Sequence, residues 1–173
     1  DVKVSEVHGM SQRGGSVVTY VRYGDKVYSP IIGKGSADVL VAFEKMEALR
    51  YLDDVKVDGG VVIINDHAIQ SLPTLQGMAA YPEDCIDRVK EKNADTRVIT
   101  ATKIAGELGN EKAANVVLLG ATVKALGLEA LDFPQLPEAL GGFDFVINTV
   151  PEQVLREPDL GRIRRDALLL ELA

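Results

Sequence analysis

Cysteine is nearly missing from this chain: its 173 residues include one, Cys85. A single thiol excludes an intramolecular disulfide and an iron–sulfur cluster held by four thiolates of this chain. His8 and His67 are the only histidines, so the set of strong soft ligands is too small for an ordinary zinc centre. Any redox centre therefore belongs to a cofactor or a partner, and a reducing, cytoplasmic compartment is expected. Tryptophan is absent, and five Tyr and four Phe do not by themselves announce an aromatic pocket. No apolar run approaches the ~20 residues of a membrane-spanning helix, and the first residues lack the basic-then-apolar order of a signal peptide. Basic side chains are outnumbered, 19 against 26, for a net charge of −7. That balance argues against nucleic acid as the main partner, because phosphate binding needs concentrated Lys and Arg. Neither a dinucleotide-type G-x-G-x-x-G nor a G-x-x-x-x-G-K-[ST] loop occurs, and no nucleophile elbow, H-E-x-x-H helix or EF-hand loop is present.

What is present fits a globular chain of one domain with a second, small one: 46% of residues are hydrophobic and 26% charged. Val2, Val4 and Val7 begin a strand pattern, followed by a glycine-rich loop over residues 9–16. A second strand runs through Val17, Val18, Tyr20 and Val21. Gly24-Asp25 then separates it from Val27-Tyr28, which predicts a hairpin between those two segments. Val39 to Phe43 and Val61 to Asn65 are short continuous apolar runs, the mark of strands buried on both faces. Arg97-Val98-Ile99-Thr100 is a third strand candidate. Helices are expected over residues 44–52, 83–92, 102–108 and 110–126, the last with Val116, Leu119, Val123 and Leu126 as its apolar face and Gly127 as its cap. After Gly127 come a short helix over residues 134–140, a strand over 143–148, one or two helical turns and a last strand from Ala167. Strands alternating with helices predict an α/β fold: three layers, Rossmann-like, with a mostly parallel sheet and one antiparallel hairpin.

The densest chemistry lies in Glu6-Val7-His8-Gly9-Met10-Ser11-Gln12-Arg13-Gly14-Gly15-Ser16. Glycines let a backbone approach a ligand, Arg13 can grip a carboxylate or phosphate with a bidentate fork, and His8 can move a proton near neutral pH. The plainer alternative is a tight turn in which Arg13 pairs with Glu6. Gly33-Lys34-Gly35-Ser36 hints at phosphate but reads better as a solvated turn, because no helix N-terminus backs it. Asn65-Asp66-His67 follows a buried strand, where ligands of α/β proteins gather. It reads as a proton relay or, more simply, as a cap on the next segment. Cys85 lies between Asp84 and Asp87, which disfavours a thiolate and a catalytic role.

The run from Glu6 to Val17, with Val21-Arg22, Tyr28-Ser29-Pro30-Ile31-Ile32, Gly35-Ser36-Ala37-Asp38-Val39-Leu40, Phe43-Glu44, Glu47-Ala48-Leu49-Arg50 and Asn115-Val116-Val117-Leu118-Leu119-Gly120-Ala121, resembles the gamma-type domain of 2-oxoacid:ferredoxin oxidoreductases, its indolepyruvate branch above all. The likeness covers about residues 1–128. It implies a subunit of a complex that decarboxylates a 2-oxoacid with thiamine diphosphate, iron–sulfur clusters and CoA. No cofactor would be bound by this chain alone. The partner would be an alpha-type subunit bearing the thiamine and the clusters, with ferredoxin served indirectly. His8, Gln12, Arg13, Gly14 and Gly15 would line the face that completes the substrate and CoA site. The family's opening strand and Gly-rich turn would precede Asp1.

Residues 129–173 differ in texture. Leu136-Pro137-Glu138-Ala139-Leu140, Phe143 to Pro151 and Asp166 to Ala173 resemble the nucleotide-binding half of dipicolinate synthase. This implies a strand–helix–strand segment completing the same sheet, with Asn148 and Thr149 near an NADP cofactor. Two alternatives therefore stand beside the subunit reading: an NADP-dependent oxidoreductase fragment, and an engineered α/β chimera without activity.

Overall fold

The computed structural model describes residues 1–7, 16–129, 131, 133–148 and 155–171. The chain divides into two compact units, Asp1–Leu128 and Glu129–Ala173.

The first unit is built on a parallel sheet of three strands, β3 (Val39–Ala42), β4 (Val61–Asn65) and β5 (Thr96–Ile99), adjacent in that order. Val39 lies opposite Val61, and Val62 opposite Thr96. All five residues of β4 are buried, as expected of a central strand whose side chains alternate between two covered faces. Val62 and Ile64 point to one face, against Ala48 of α1 (Lys45–Arg50), Leu52, Val55 and Val89 of α3 (Cys85–Lys92). Val61 and Ile63 point to the other, against Ala101 of α4 (Ala101–Glu107) and Leu118 of α5 (Ala114–Ala125). The three-layer arrangement read from the sequence is thus realised in this unit.

The antiparallel hairpin exists, but one element earlier than expected. β1 (Val2–Val7) pairs with β2 (Val18–Tyr23), Val2 opposite Tyr23 and Val7 opposite Val18. Val27 and Tyr28 form no strand; Val27 is instead buried, its N–H donating to Asp1 at 3.2 Å, while Tyr28 is exposed. Gly24-Asp25 looked like a two-residue turn, yet a short turn fixes a hairpin only if the strand beyond it has an edge to complete. Val2, Val4, Val21 and Tyr23 share one face of the hairpin, and all four are more than half exposed.

A second correction concerns α5. Its sheet-facing residues are Leu118, Ala114, Val117, Ala121 and Ala125. The predicted face points the other way: Val116 and Leu119 are 62% and 61% exposed, and Leu126 is 43% exposed. The helix is apolar on both sides, so periodicity alone could not choose between them.

The second unit holds α6 (Leu136–Ala139), β6 (Phe145–Asn148), α7 (Glu157–Leu160) and β7 (Leu168–Glu171). β6 and β7 pair in parallel, Phe145 opposite Leu168. Together they form a two-stranded parallel sheet. Among the described residues no helix is long and apolar enough to cross a membrane.

Candidate functional site at the carboxyl edge of the sheet

The carboxyl ends of parallel strands are where loops can present polar groups over a rigid base. In the first unit this edge is built by Phe43 and Glu44 after β3, Asn65 to His67 after β4, and Thr100 after β5. Asn65 is buried and holds the three ends together. Its Nδ2 donates to the Phe43 carbonyl at 3.1 Å and to Thr102 Oγ1 at 2.8 Å, and its Oδ1 accepts from the Thr102 N–H at 3.3 Å. The Asp66 N–H donates to the Ile99 carbonyl at 2.8 Å.

Glu44 is the second buried polar residue here, 5% exposed. It caps α1, accepting from the Glu47 N–H at 3.0 Å, which satisfies one orphan donor of the first turn. It also accepts from the Ile69 N–H at 3.4 Å and from the Tyr81 hydroxyl. The Lys45 N–H donates to the His67 carbonyl at 3.1 Å. Lys45 Nζ lies 5.5 Å from the centre of the Tyr81 ring and 3.8 Å from Glu83. Residues 66–83 are thereby tied at both ends to the β3–α1 junction. Burial, then the hydrogen bond to Glu44 and its charge, push the Tyr81 phenol well above its usual range, so it remains a donor. Tyr81→Phe removes one charge-assisted hydrogen bond and is expected to destabilise by about 1–2 kcal/mol. Hydrogen exchange should quicken within residues 66–83 and stay unchanged in β4; uniform quickening would show that Tyr81 supports the whole fold instead.

Ser16, the last residue of the segment singled out in the sequence, lies against α1. Ser16 donates its hydroxyl to Glu47 on α1 and lies 3.1 Å from the Tyr51 hydroxyl; Glu47 also accepts from Arg50 at 3.1 Å. β1 ends at Val7. His8, Gln12, Arg13, Gly14 and Gly15 lie outside the described residues.

The remaining candidates separate. Asp66 and His67 are exposed and no hydrogen bond joins their side chains, so the relay is not assembled; His67 serves through its backbone carbonyl. At the Gly33–Ser36 turn, the N–H of Gly35 donates to the Asp53 carbonyl at 2.9 Å, and those of Ser36 and Ala37 donate to the Asp54 carbonyl at 2.9 and 2.8 Å. The amides a phosphate would need are taken, and Lys34 faces Asp53 at 3.9 Å. An open cleft of about 340 Å³ borders this turn, lined by Lys34, Lys56 and Lys92 among others. Lys56 is paired with Asp38 there. Asn148 ends β6 at a strand's carboxyl end, opposite Glu171, while Thr149 lies outside the described residues.

Cys85 is buried and its Sγ donates to the Pro82 carbonyl at 3.0 Å. Burial first, then the charges of Glu44 and Asp84, raise its thiol above the ordinary value, which disfavours the thiolate. One such cysteine does not fit an iron–sulfur cluster. Among the described residues no three His, Cys, Asp or Glu side chains are placed to hold a metal.

Comparison with known proteins places this geometry in context. Residues 1–141 match the model of the pyruvate ferredoxin/flavodoxin oxidoreductase family. The chain is 44% identical over 129 residues to the indolepyruvate oxidoreductase subunit IorB of Pyrococcus horikoshii, covering 73% of this chain and 63% of the relative. The Thermococcus kodakarensis subunit of the same name is 43% identical over the same shares. That of Methanothermobacter thermautotrophicus is 35% identical over 142 residues, 81% of this chain and 69% of the relative. The chain thus spans less than two thirds of the length of the first two.

Proposed function

Because the chain belongs to the pyruvate ferredoxin/flavodoxin oxidoreductase family, we propose that it completes the substrate and CoA face of a thiamine diphosphate-dependent 2-oxoacid:ferredoxin oxidoreductase. It is of the gamma type, and an indolepyruvate-like arylpyruvate is the substrate. The partner is an alpha-type subunit that carries the thiamine diphosphate and the iron–sulfur clusters, and the complex is cytoplasmic. The observation that carries this reading is the 44% identity to a subunit named for indolepyruvate oxidation.

Three features of the molecule support it. The one cysteine, Cys85, is buried and cannot by itself hold an iron–sulfur cluster. Ser16, which follows His8, Gln12, Arg13, Gly14 and Gly15 in the sequence, is hydrogen-bonded to Glu47 on α1 and lies 3.1 Å from the Tyr51 hydroxyl. Within residues 66–83, Ile69, Leu72, Leu75 and Met78 are large apolar side chains, each more than half exposed. Exposed apolar side chains gathered within one segment are a feature of surfaces that meet another chain.

The test is Arg13→Ala in the assembled oxidoreductase. The bidentate grip of a guanidinium on a carboxylate or phosphate is lost, and turnover of the arylpyruvate should fall about tenfold or more. The melting temperature of the chain should not move, since Arg13 is assigned to a face rather than to the core. Unchanged turnover in an intact complex would remove Arg13 from the site.

A further inference from the structure

The turn that leads into β4 is pinned at its ends and loose in its middle. On one side the Lys56 N–H donates to the Ala37 carbonyl at 2.9 Å; on the other the Gly60 carbonyl accepts from Asn93 Nδ2 at 3.0 Å. Between them Val57, Asp58 and Gly59 are exposed. None of these three makes a hydrogen bond or an ion pair among the described residues. The Gly59 N–H is therefore not committed to an acceptor, nor the Asp58 carboxyl to a donor. Gly59 has a φ of +76°, and a Cβ built on it meets nothing within 4 Å, so the space around this peptide is open. Of all the Asp and Asn residues in the chain, Asp58 alone is followed by glycine. That matters because a Cβ on the next residue crowds the approach of its main-chain nitrogen to the preceding carboxyl, and glycine has none. The buried asparagines differ on both counts. Asn65 and Asn93 are 2% and 6% exposed, their amides are held by hydrogen bonds, and the residues after them carry side chains.

We propose that Asp58 is a site of spontaneous isoaspartate formation in the folded chain. The Gly59 nitrogen attacks Asp58 Cγ. A C–N bond forms, the carboxyl C–O bond breaks, and the amide proton leaves with the hydroxyl as one water. The product is a five-membered succinimide. Water then opens the ring at either carbonyl. Breaking the new Cγ–N bond restores aspartate. Breaking the bond between the nitrogen and the original main-chain carbonyl carbon gives isoaspartate, whose main chain runs through Cβ and Cγ. The water lost in the first step returns in the second, so the net change is an isomerisation that needs no oxidant, reductant or cofactor. The main chain grows by one carbon–carbon bond, about 1.5 Å. Lys56 and Gly60 are held, so residues 57–59 take up the added length.

The test ages the whole chain, folded, at physiological temperature and neutral pH beside a free peptide spanning residues 55–61. Both are then digested, and isoaspartate is assayed in the fragment that holds residue 58 by enzymatic carboxyl methylation with a labelled methyl donor. Label is expected in that fragment of the aged chain, accumulating within about tenfold of the rate in the peptide. Asp58→Glu keeps the charge and the turn but would need a six-membered ring, and the label should be lost. Asp58→Asn expels ammonia in the same ring closure, and the label should rise. A folded chain that stays unlabelled at this fragment while the peptide converts overturns the proposal, because the turn then holds the Asp58 carboxyl away from the Gly59 nitrogen. Label that persists in Asp58→Glu overturns it as well, and places the isomerised residue elsewhere.

Discussion

Gly60→Ala should destabilise the first unit by about 3 kcal/mol or more, the largest effect of an added methyl at any described glycine. Gly60 immediately precedes β4, and a Cβ there would fall onto the Lys56 carbonyl oxygen and the Val55 Cγ1. Neither neighbour can retreat. Val55 is buried and bridges to Ala37, and the Lys56 N–H donates to the Ala37 carbonyl at 2.9 Å. The Gly60 carbonyl is itself held by Asn93 Nδ2 at 3.0 Å. Gly59 next to it is a useful contrast. Its φ is +76° and its Cβ position is open, so alanine there strains only the backbone, at about 1–2 kcal/mol. Urea titration of both variants separates the two causes. Gly60→Ala within about 0.5 kcal/mol of the parent would show that the 55–60 turn yields and does not set the start of β4.

Asn65→Ala comes next, at about 3 kcal/mol, or roughly 10 °C in melting temperature for a unit of this size. The side chain makes three hydrogen bonds while 2% exposed, and its removal leaves the Phe43 carbonyl and both Thr102 groups without these partners in a site little reached by water. The loss should also be local in character. Hydrogen exchange should rise first at the junction of β3 with α1 and at the first turn of α4, the two elements Asn65 joins. A melting temperature within about 2 °C of the parent would mean that water replaces the amide without cost, and that the carboxyl edge is held by the strands alone.

The sheet was legible because its strands are buried on both faces. Val61-Val62-Ile63-Ile64 reads as an uninterrupted apolar run only if helices cover each side, and α1 with α3, and α5 with Ala101, do so. The hairpin partner was not legible in the same way. The local turn signal at Gly24-Asp25 competed with a pairing that closes over residues 8–17, and no local rule ranks a long connection above a short one. The apolar face of α5 misled for a different reason: a helix with two apolar faces has no preferred phase, and only the fold shows that its alanines, smaller and closer to the sheet, take the inside.

The loop that the sequence singled out lies outside the described residues, whereas the carboxyl edge of the sheet is described. Glu44 and Asn65 had a readable signal. Each is a polar residue closing or following a continuous buried strand, where a side chain either meets a partner or costs stability. Tyr81 had none, since its partner lies 37 positions away along the chain. The phosphate hint of Gly33-Lys34-Gly35-Ser36 fades once its amides are accounted for, because backbone carbonyls of Asp53 and Asp54 occupy them.

The central claim is that this chain works as one part of a thiamine-dependent oxidoreductase. It is tested most directly by native mass measurement of the chain purified from its source cells, with thiamine and iron assayed in the same fraction. Co-elution with a larger subunit, with both thiamine diphosphate and iron present in stoichiometric amounts, is the predicted result. A species containing only this chain, with neither cofactor in its fraction, would contradict the account.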